Sequence, residues 1–358
     1  MRTPRRLVLP VLTLAALGLS ACASGGSGGS AGAAEDGALS VVASTNVYAS
    51  IVEEVAGDAV DVEAIIDDPN LDPHSYEATA QDQLTLSKAD LVVMNGGGYD
   101  AFMTTMLDAV EADPEVLDIV SFSGLPGSED ASSEPHSHAH AGEDGEESHV
   151  EESAEAGGTV EAAATTEGAH DDHDHADHDH GEFNEHVWYS VPTMEVLTEE
   201  LVHHLSELLP DEAQTFEDNG AALTEELEGL HQQLEAIAAE HGGEKVAATE
   251  PVPLWMFEDM GLENITSTEF LAAVEEGNDV SPIVLQESLS QISDGEAVLL
   301  AYNEQTAGPQ ADELRSAAEA AGTPVVSLTE TMPADSTYIE WMGGNITAVE
   351  DALGAHEH

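Results

Sequence analysis

From Leu39 onward, apolar and polar positions follow two rhythms. Leu39–Ser44 and Val60–Ile66 are short apolar runs that predict strands; between them Val47–Ala56 repeats apolar residues at helical spacing and stops at Gly57. A helix over about 79–87 and a strand over 91–95 follow, and Gly96-Gly97-Gly98 turns the chain into a helix over 99–111. The order is predicted to break near residue 123 and to resume at Phe183. A helix runs from Pro192 to about Leu209. A longer one covers 211–241, with Leu223, Leu227, Leu230, Leu234 and Ile237 on one stripe and Gly242-Gly243 at its end. The alternation then restarts, with strands over 245–249, 297–301 and 324–328 and helices near 253–260, 282–292, 310–321 and 336–353. Strands alternating with helices predict parallel sheets, hence an α/β fold. The expected architecture is two α/β lobes, 39–210 and 242–358, bridged by one long rigid helix over 211–241, with no internal sequence repeat.

What precedes the first strand is different in kind. Arg2, Arg5 and Arg6 lead into an apolar run from Leu7 to Leu19, too short for a stable spanning helix and typical of a secretory signal over residues 1–21. Leu19-Ser20-Ala21-Cys22 resembles a bacterial lipobox, which would make Cys22 the lipidated first residue of the mature chain. Cys22 is the only cysteine, so no internal disulfide is expected. Residues 22–38 read as a flexible tether. About 320 residues remain, enough for two ordinary domains.

Charge narrows the partners. Beyond the signal only Lys88, Lys245 and Arg315 stand against 73 acids, a surface that repels nucleic acid and anionic lipid and attracts cations. Residues 124–182 are Gly, Ser, Ala, Asp, Glu and His with almost no bulky apolar side chains, so this stretch is expected to be a disordered acidic loop. It carries two histidine clusters, His136, His138 and His140, then His170, His173, His175, His178 and His180. Such tracts bind Zn²⁺, Ni²⁺ and Cu²⁺ better than Mn²⁺, so the loop is expected to act as an auxiliary metal collector, with a merely solvating tract as the alternative.

Two further histidines stand apart. In Asp72-Pro73-His74-Ser75-Tyr76-Glu77, Pro73 restricts the backbone beside His74, beyond a predicted strand where open α/β folds place their ligands. His186 follows the acidic loop among apolar neighbours, in Asn184-Glu185-His186-Val187-Trp188-Tyr189. Tyr76, Trp188, Trp255 and Trp341 would either wall off a cleft or simply fill the core.

Together with Ala89-Asp90-Leu91-Val92-Val93-Met94-Asn95-Gly96, these segments resemble the solute-binding lipoproteins of zinc and manganese ABC importers, the cluster A-I family, in its zinc-binding, ZnuA-like form with a histidine-rich loop. The resemblance covers about residues 39–353 outside the loop. It implies a metal site in the interlobe cleft with four ligands: His74, His186, Glu250 after the strand at 245–249, and Glu330 after the strand at 324–328. Glutamate at the third position is the manganese-type choice, where many zinc members carry histidine; at the fourth, aspartate is usual. Two imidazoles and two carboxylates suit tetrahedral Zn²⁺, and with bidentate carboxylates Mn²⁺ or Fe²⁺. The implied function is extracytoplasmic capture of a divalent metal, zinc first and manganese or iron as the alternative, by a monomer that delivers it to a metal-type ABC permease. A surface metal buffer or cell adhesin without an importer is the second reading. The enzyme signatures Gly-x-Ser-x-Gly, the phosphate loop and His-Glu-x-x-His are absent, and four protein ligands would close the open position a catalytic metal needs, so no enzyme is expected.

Overall fold

The computed structural model describes residues 39–131, 183–305 and 308–356. The expected signal, Cys22, the tether and every histidine of the two loop clusters, from His136 to His180, lie outside them.

The first lobe contains β1 (Leu39–Thr45), α1 (Asn46–Ala56), β2 (Val60–Ile66), α2 (Ala80–Leu86), β3 (Leu91–Met94), α3 (Ala101–Ala109), β4 (Glu115–Asp118), and the short turns α4 (Ile119–Phe122) and α5 (Ser128–Ala131). Then come α6 (Val191–Leu208) and the long helix α7 (Ala213–His241). The second lobe contains β5 (Lys245–Ala248), α8 (Leu254–Asp259), β6 (Glu263–Asn264), α9 (Thr268–Glu275), α10 (Pro282–Ser293), β7 (Leu300–Tyr302), α11 (Pro309–Ala321), β8 (Val325–Ser327) and α12 (Tyr338–His356). The two sheets have matching orders, β2-β1-β3-β4 and β6-β5-β7-β8, and every pairing is parallel. In both, the strand order reverses beside the first strand of the lobe, which opens a crevice at the carboxyl ends where a doubly wound sheet binds its ligand.

β4, β6 and α9 are absent from the sequence-based expectation, and their burial explains why. β4 and β6 are edge strands: of β4 only Leu117 is buried while Val116 is 40% exposed, and β6 has two residues, neither buried. Neither leaves an alternating trace. α9 is a single short helix, capped where Ser267 accepts from the Phe270 N–H and closed near Gly277. Order also runs past the expected break at 123, because Leu125 and Ala131 still pack on the core and Ser128 is buried.

Residues one apart along each strand face different cores, as the pleat requires. Val41, Ala43, Leu91 and Val93 face inward in the first lobe; Val246, Ala248, Leu299 and Ala301 do so in the second. All belong to one apolar cluster that continues through the α7 stripe of Leu223, Leu227, Leu230, Leu234 and Ile237. Their neighbours face outward into separate clusters, Val42 and Val92 with Met103, and Ala247 and Leu300 with Phe270 and Leu314. The lobes thus share a core as well as a helix. Hydrogen bonds cross the same boundary: the Tyr338 hydroxyl donates to the Trp188 carbonyl at 2.8 Å and the Tyr189 hydroxyl to the Thr329 carbonyl at 2.6 Å. Among the described residues no helix is long and apolar enough to cross a membrane.

Candidate metal centre

Each histidine is held by its own local device. After β2 the chain makes a tight turn in which Asp72 accepts from the His74 N–H at 2.9 Å and from the Ser75 hydroxyl at 2.8 Å, over a buried Pro73. Across the crevice, Asn95 is fully buried at the end of β3 and donates to the carbonyl of Glu185 at 3.0 Å, fixing the segment that carries His186. Gly96 makes that anchor possible. Its φ is +76°, and a Cβ there would lie 2.0 Å from Asp118 Oδ1.

The second nitrogen of each ring sets its tautomer. His186 Nδ1 lies 2.8 Å from Asn184 Oδ1, and Asn184 spends its amide N–H on the Pro251 carbonyl at 3.0 Å. The Asn184 oxygen is therefore an acceptor, Nδ1 carries the proton, and Nε2 presents a lone pair to the cleft. His74 Nδ1 lies 3.1 Å from Glu185 Oε1, the carboxylate–histidine arrangement that orients metal-binding imidazoles. Replacing Asn184 with alanine removes the His186 orienter without touching a ligand. Competition with a chelator is expected to show a 10–100-fold loss in metal affinity, the usual range for such partners.

The structure brings His74, His186 and Glu330 together: one ligand atom from each lies within 4.8 Å of the other two. His74 Nε2 is 3.6 Å from Glu330 Oε1. Glu250 completes neither such cluster found among the described residues; it is buried and its Oε2 accepts from Asn303 Nδ2 at 2.7 Å. A carboxylate the sequence did not single out also faces the two histidines. Glu275, at the end of α9, lies 3.3 Å from His186 Nε2 and 4.0 Å from His74 Nε2, and groups with His74 and Glu185 in a second cluster. Its only sequence signal was the Ser267 cap followed by Phe270, Leu271 and Val274 at helical spacing.

The cluster is an electrostatic anomaly. Burial first, then neighbouring carboxylates, push Glu275 up to about 9 and Glu330 up to about 8, with a hydrogen bond from Tyr99 pulling Glu330 the other way. Glu185 is likewise raised to about 8, by burial and then by Asp100 and Glu330. Every charge that moves the three is another carboxylate. Burial, then His74, holds His186 well below the usual imidazole value, so it is neutral. His186 Nε2, Glu275 Oε1 and Glu330 Oε1 are all buried without a hydrogen-bond partner. A lone pair facing two carboxylate groups in a low-dielectric pocket is unfavourable unless protons or a cation sit among them. Tyr99 and Trp188 close the wall, with ring centroids 5.9 and 5.1 Å from His186.

A family model for the zinc-uptake complex component A, periplasmic, matches residues 41–352, nearly the whole described chain. The chain belongs to that family. The zinc-binding lipoprotein AdcA of Streptococcus pneumoniae serotype 4 is 27% identical over 230 residues, 63% of this chain and 36% of that protein. The manganese ABC transporter substrate-binding lipoprotein PsaA of Streptococcus anginosus is 36% identical over 104 residues, 28% of this chain and 32% of that protein. The chain thus spans about a third of the length of these curated relatives. Among solved structures, the solute-binding protein FpvC of Pseudomonas aeruginosa with Mn²⁺ superimposes with a TM-score of 0.64 at 18% identity, covering 88% of this chain and 98% of that one. The periplasmic zinc-binding protein TroA of Treponema pallidum gives 0.61 at 20%, covering 88% and 99%. These likenesses establish the fold of this zinc-uptake component A family member, two parallel-sheet lobes bridged by a long helix.

Proposed function

We propose that this protein captures a divalent transition metal outside the cytoplasmic membrane, zinc in preference to manganese, and delivers it to an ABC importer. The observation that carries the reading is the convergence of two imidazole Nε2 atoms and Glu330 beside buried carboxylates that raise one another's pKa. The metal is cargo: capture means exchanging its water shell for these ligands. Lipidation at Cys22, residues 1–21 as the signal, residues 22–38 as the tether, and a monomeric state with a permease as partner rest on the sequence and on what such relatives are named for. A carboxylate-rich shell accepts Mn²⁺ as well, but mixed nitrogen and oxygen sites hold Zn²⁺ more tightly.

Dialysis of the full chain against equimolar Zn²⁺ and Mn²⁺, followed by metal analysis, is expected to leave one tightly held zinc. Retained manganese would sink the zinc assignment. Deleting residues 132–182 separates capture from buffering: the tight site survives if the cleft does the binding and disappears if the histidine-rich segment does.

A further inference from the structure

We propose that Gln305 is a positioning residue which, with Thr331, latches the turn carrying His74 to the turn carrying Glu330 and thereby sets how fast the metal leaves. The inference rests on the capture reading above and adds a residue outside the ligand set.

The segment that presents His74 is the part of the site with the least support of its own. Residues 67–79 form no helix or strand and are mostly exposed, the condition under which a chain opens locally first. Its internal bonds are short in range: the Asn70 N–H donates to Asp68, the His74 N–H to Asp72 and the Tyr76 N–H to the Pro73 carbonyl. They shape the turn without tying it to the second lobe. The Pro69 carbonyl makes that tie. It accepts from Gln305 Nε2 at 2.9 Å and from the Thr331 hydroxyl at 2.8 Å.

The chemistry of the latch requires a carboxamide. Gln305 Oε1 accepts from the backbone N–H groups of Glu330 at 2.9 Å and Thr331 at 3.2 Å. Its Nε2 donates to Pro69 and to the Thr331 hydroxyl. Two lone pairs and two N–H groups are thus all spent, and the two backbone donors fix which end is oxygen. A carboxylate could not donate to Pro69, and an ammonium could not accept from Glu330. The latch is itself braced. The Gln305 N–H donates to Asn303 Oδ1 at 3.0 Å, and Asn303 Nδ2 donates to Glu250 at 2.7 Å. One network therefore joins Glu250, the Glu330 backbone and the His74 turn.

Placement turns this into a rate effect. Asp72, His74 and Ser75 line one side of a cavity of about 230 Å³, with Glu275 and Glu276 also in its lining. The core shared by the lobes resists their separation, so the His74 turn is the wall that can yield. Cutting the latch loosens one ligand and removes none.

The test uses the full chain, Zn²⁺ for release to a chelator, and Co²⁺ for the visible spectrum of the bound ion. Gln305→Ala and Thr331→Val are each expected to speed Zn²⁺ release by about 10-fold, the scale of one or two net hydrogen bonds. The Co²⁺ bands should stay in place, because the ligands are intact. Thr331→Ser keeps the hydroxyl and should release at the parent rate. In the metal-free chain, hydrogen exchange of the amides over residues 70–76 should quicken in the first two variants and not in the third. Parent release and exchange in Gln305→Ala would overturn the proposal, as would Thr331→Ser behaving like Thr331→Val. Lost Co²⁺ bands in Gln305→Ala would also overturn it, by showing that the residue builds the shell rather than latching it. A parent chain that holds no tight zinc defeats the capture reading instead, and the exchange measurement still judges the latch.

Discussion

Alanine at His186 is expected to abolish tight zinc binding, lowering affinity on the order of 1,000-fold, or about 4 kcal/mol. The side chain supplies the one nitrogen that is fully buried and neutral, oriented through Nδ1 by Asn184 and walled by Tyr99 and Trp188. No other described imidazole stands close enough to His74 and Glu330 to substitute. Chelator competition on the full chain reads the effect, and a melt of the metal-free variant reports its folding. Affinity within tenfold of the parent would show that the tight site lies elsewhere.

The second large effect concerns pH. Glu185, Glu275 and Glu330 are raised in the folded, metal-free chain to about 8, 9 and 8, from an ordinary value of 4.5. A raised folded value means that protonation favours the fold. The stability it brings is fully present below the ordinary value and is lost as pH climbs through the 8–9 range. The groups interact, so the protons belong to the cluster rather than to one residue. Metal replaces those protons. Calorimetry in buffers of different ionisation enthalpy is expected to find at least one proton released per ion bound at pH 7. The metal-free chain should melt at lower temperature at pH 8.5 than at pH 6, and one equivalent of zinc should raise the melting temperature more at pH 8.5. Equal gains at both values would contradict the carboxylate account. The sign matches the weakening in acid expected from histidine protonation; burial and then His74 hold His186 below the usual imidazole value, and the raised carboxylates add their own dependence.

What the sequence disclosed and what it withheld have physical causes. Two lobes and a long helix were legible because the Leu223-to-Ile237 stripe and fully buried strands such as Leu91–Met94 leave strong periodic traces. His74 stood out through Pro73, and His186 through the change of composition at Phe183. Glu275 was invisible: it is one acid among 73, on a helix of 8 residues, and nothing local marks an oxygen that only tertiary folding buries. Glu250 was read from its place after the first strand of the lobe, and the Asn303 amide that donates to its Oε2 comes from the end of another strand, 53 residues away, which no local pattern shows. Asn184 and Glu185 were in plain view beside His186, but their roles depend on which way two amide and carboxylate groups point, and sequence is silent on that.

The core shared by the lobes has a consequence for traffic through the site. Val187, Trp188 and Tyr189 are sealed into the same apolar mass as Trp341, Met342 and Ile346, so prising the lobes apart would wet a surface that folding has already dried. The ligands are therefore largely assembled before the ion arrives, and capture asks for little rearrangement. Unloading inherits the difficulty. Under the proposed role, an ion that enters a preset cage has no spring to push it out, so its release would be imposed at the exit, by protons or by force applied from outside the fold.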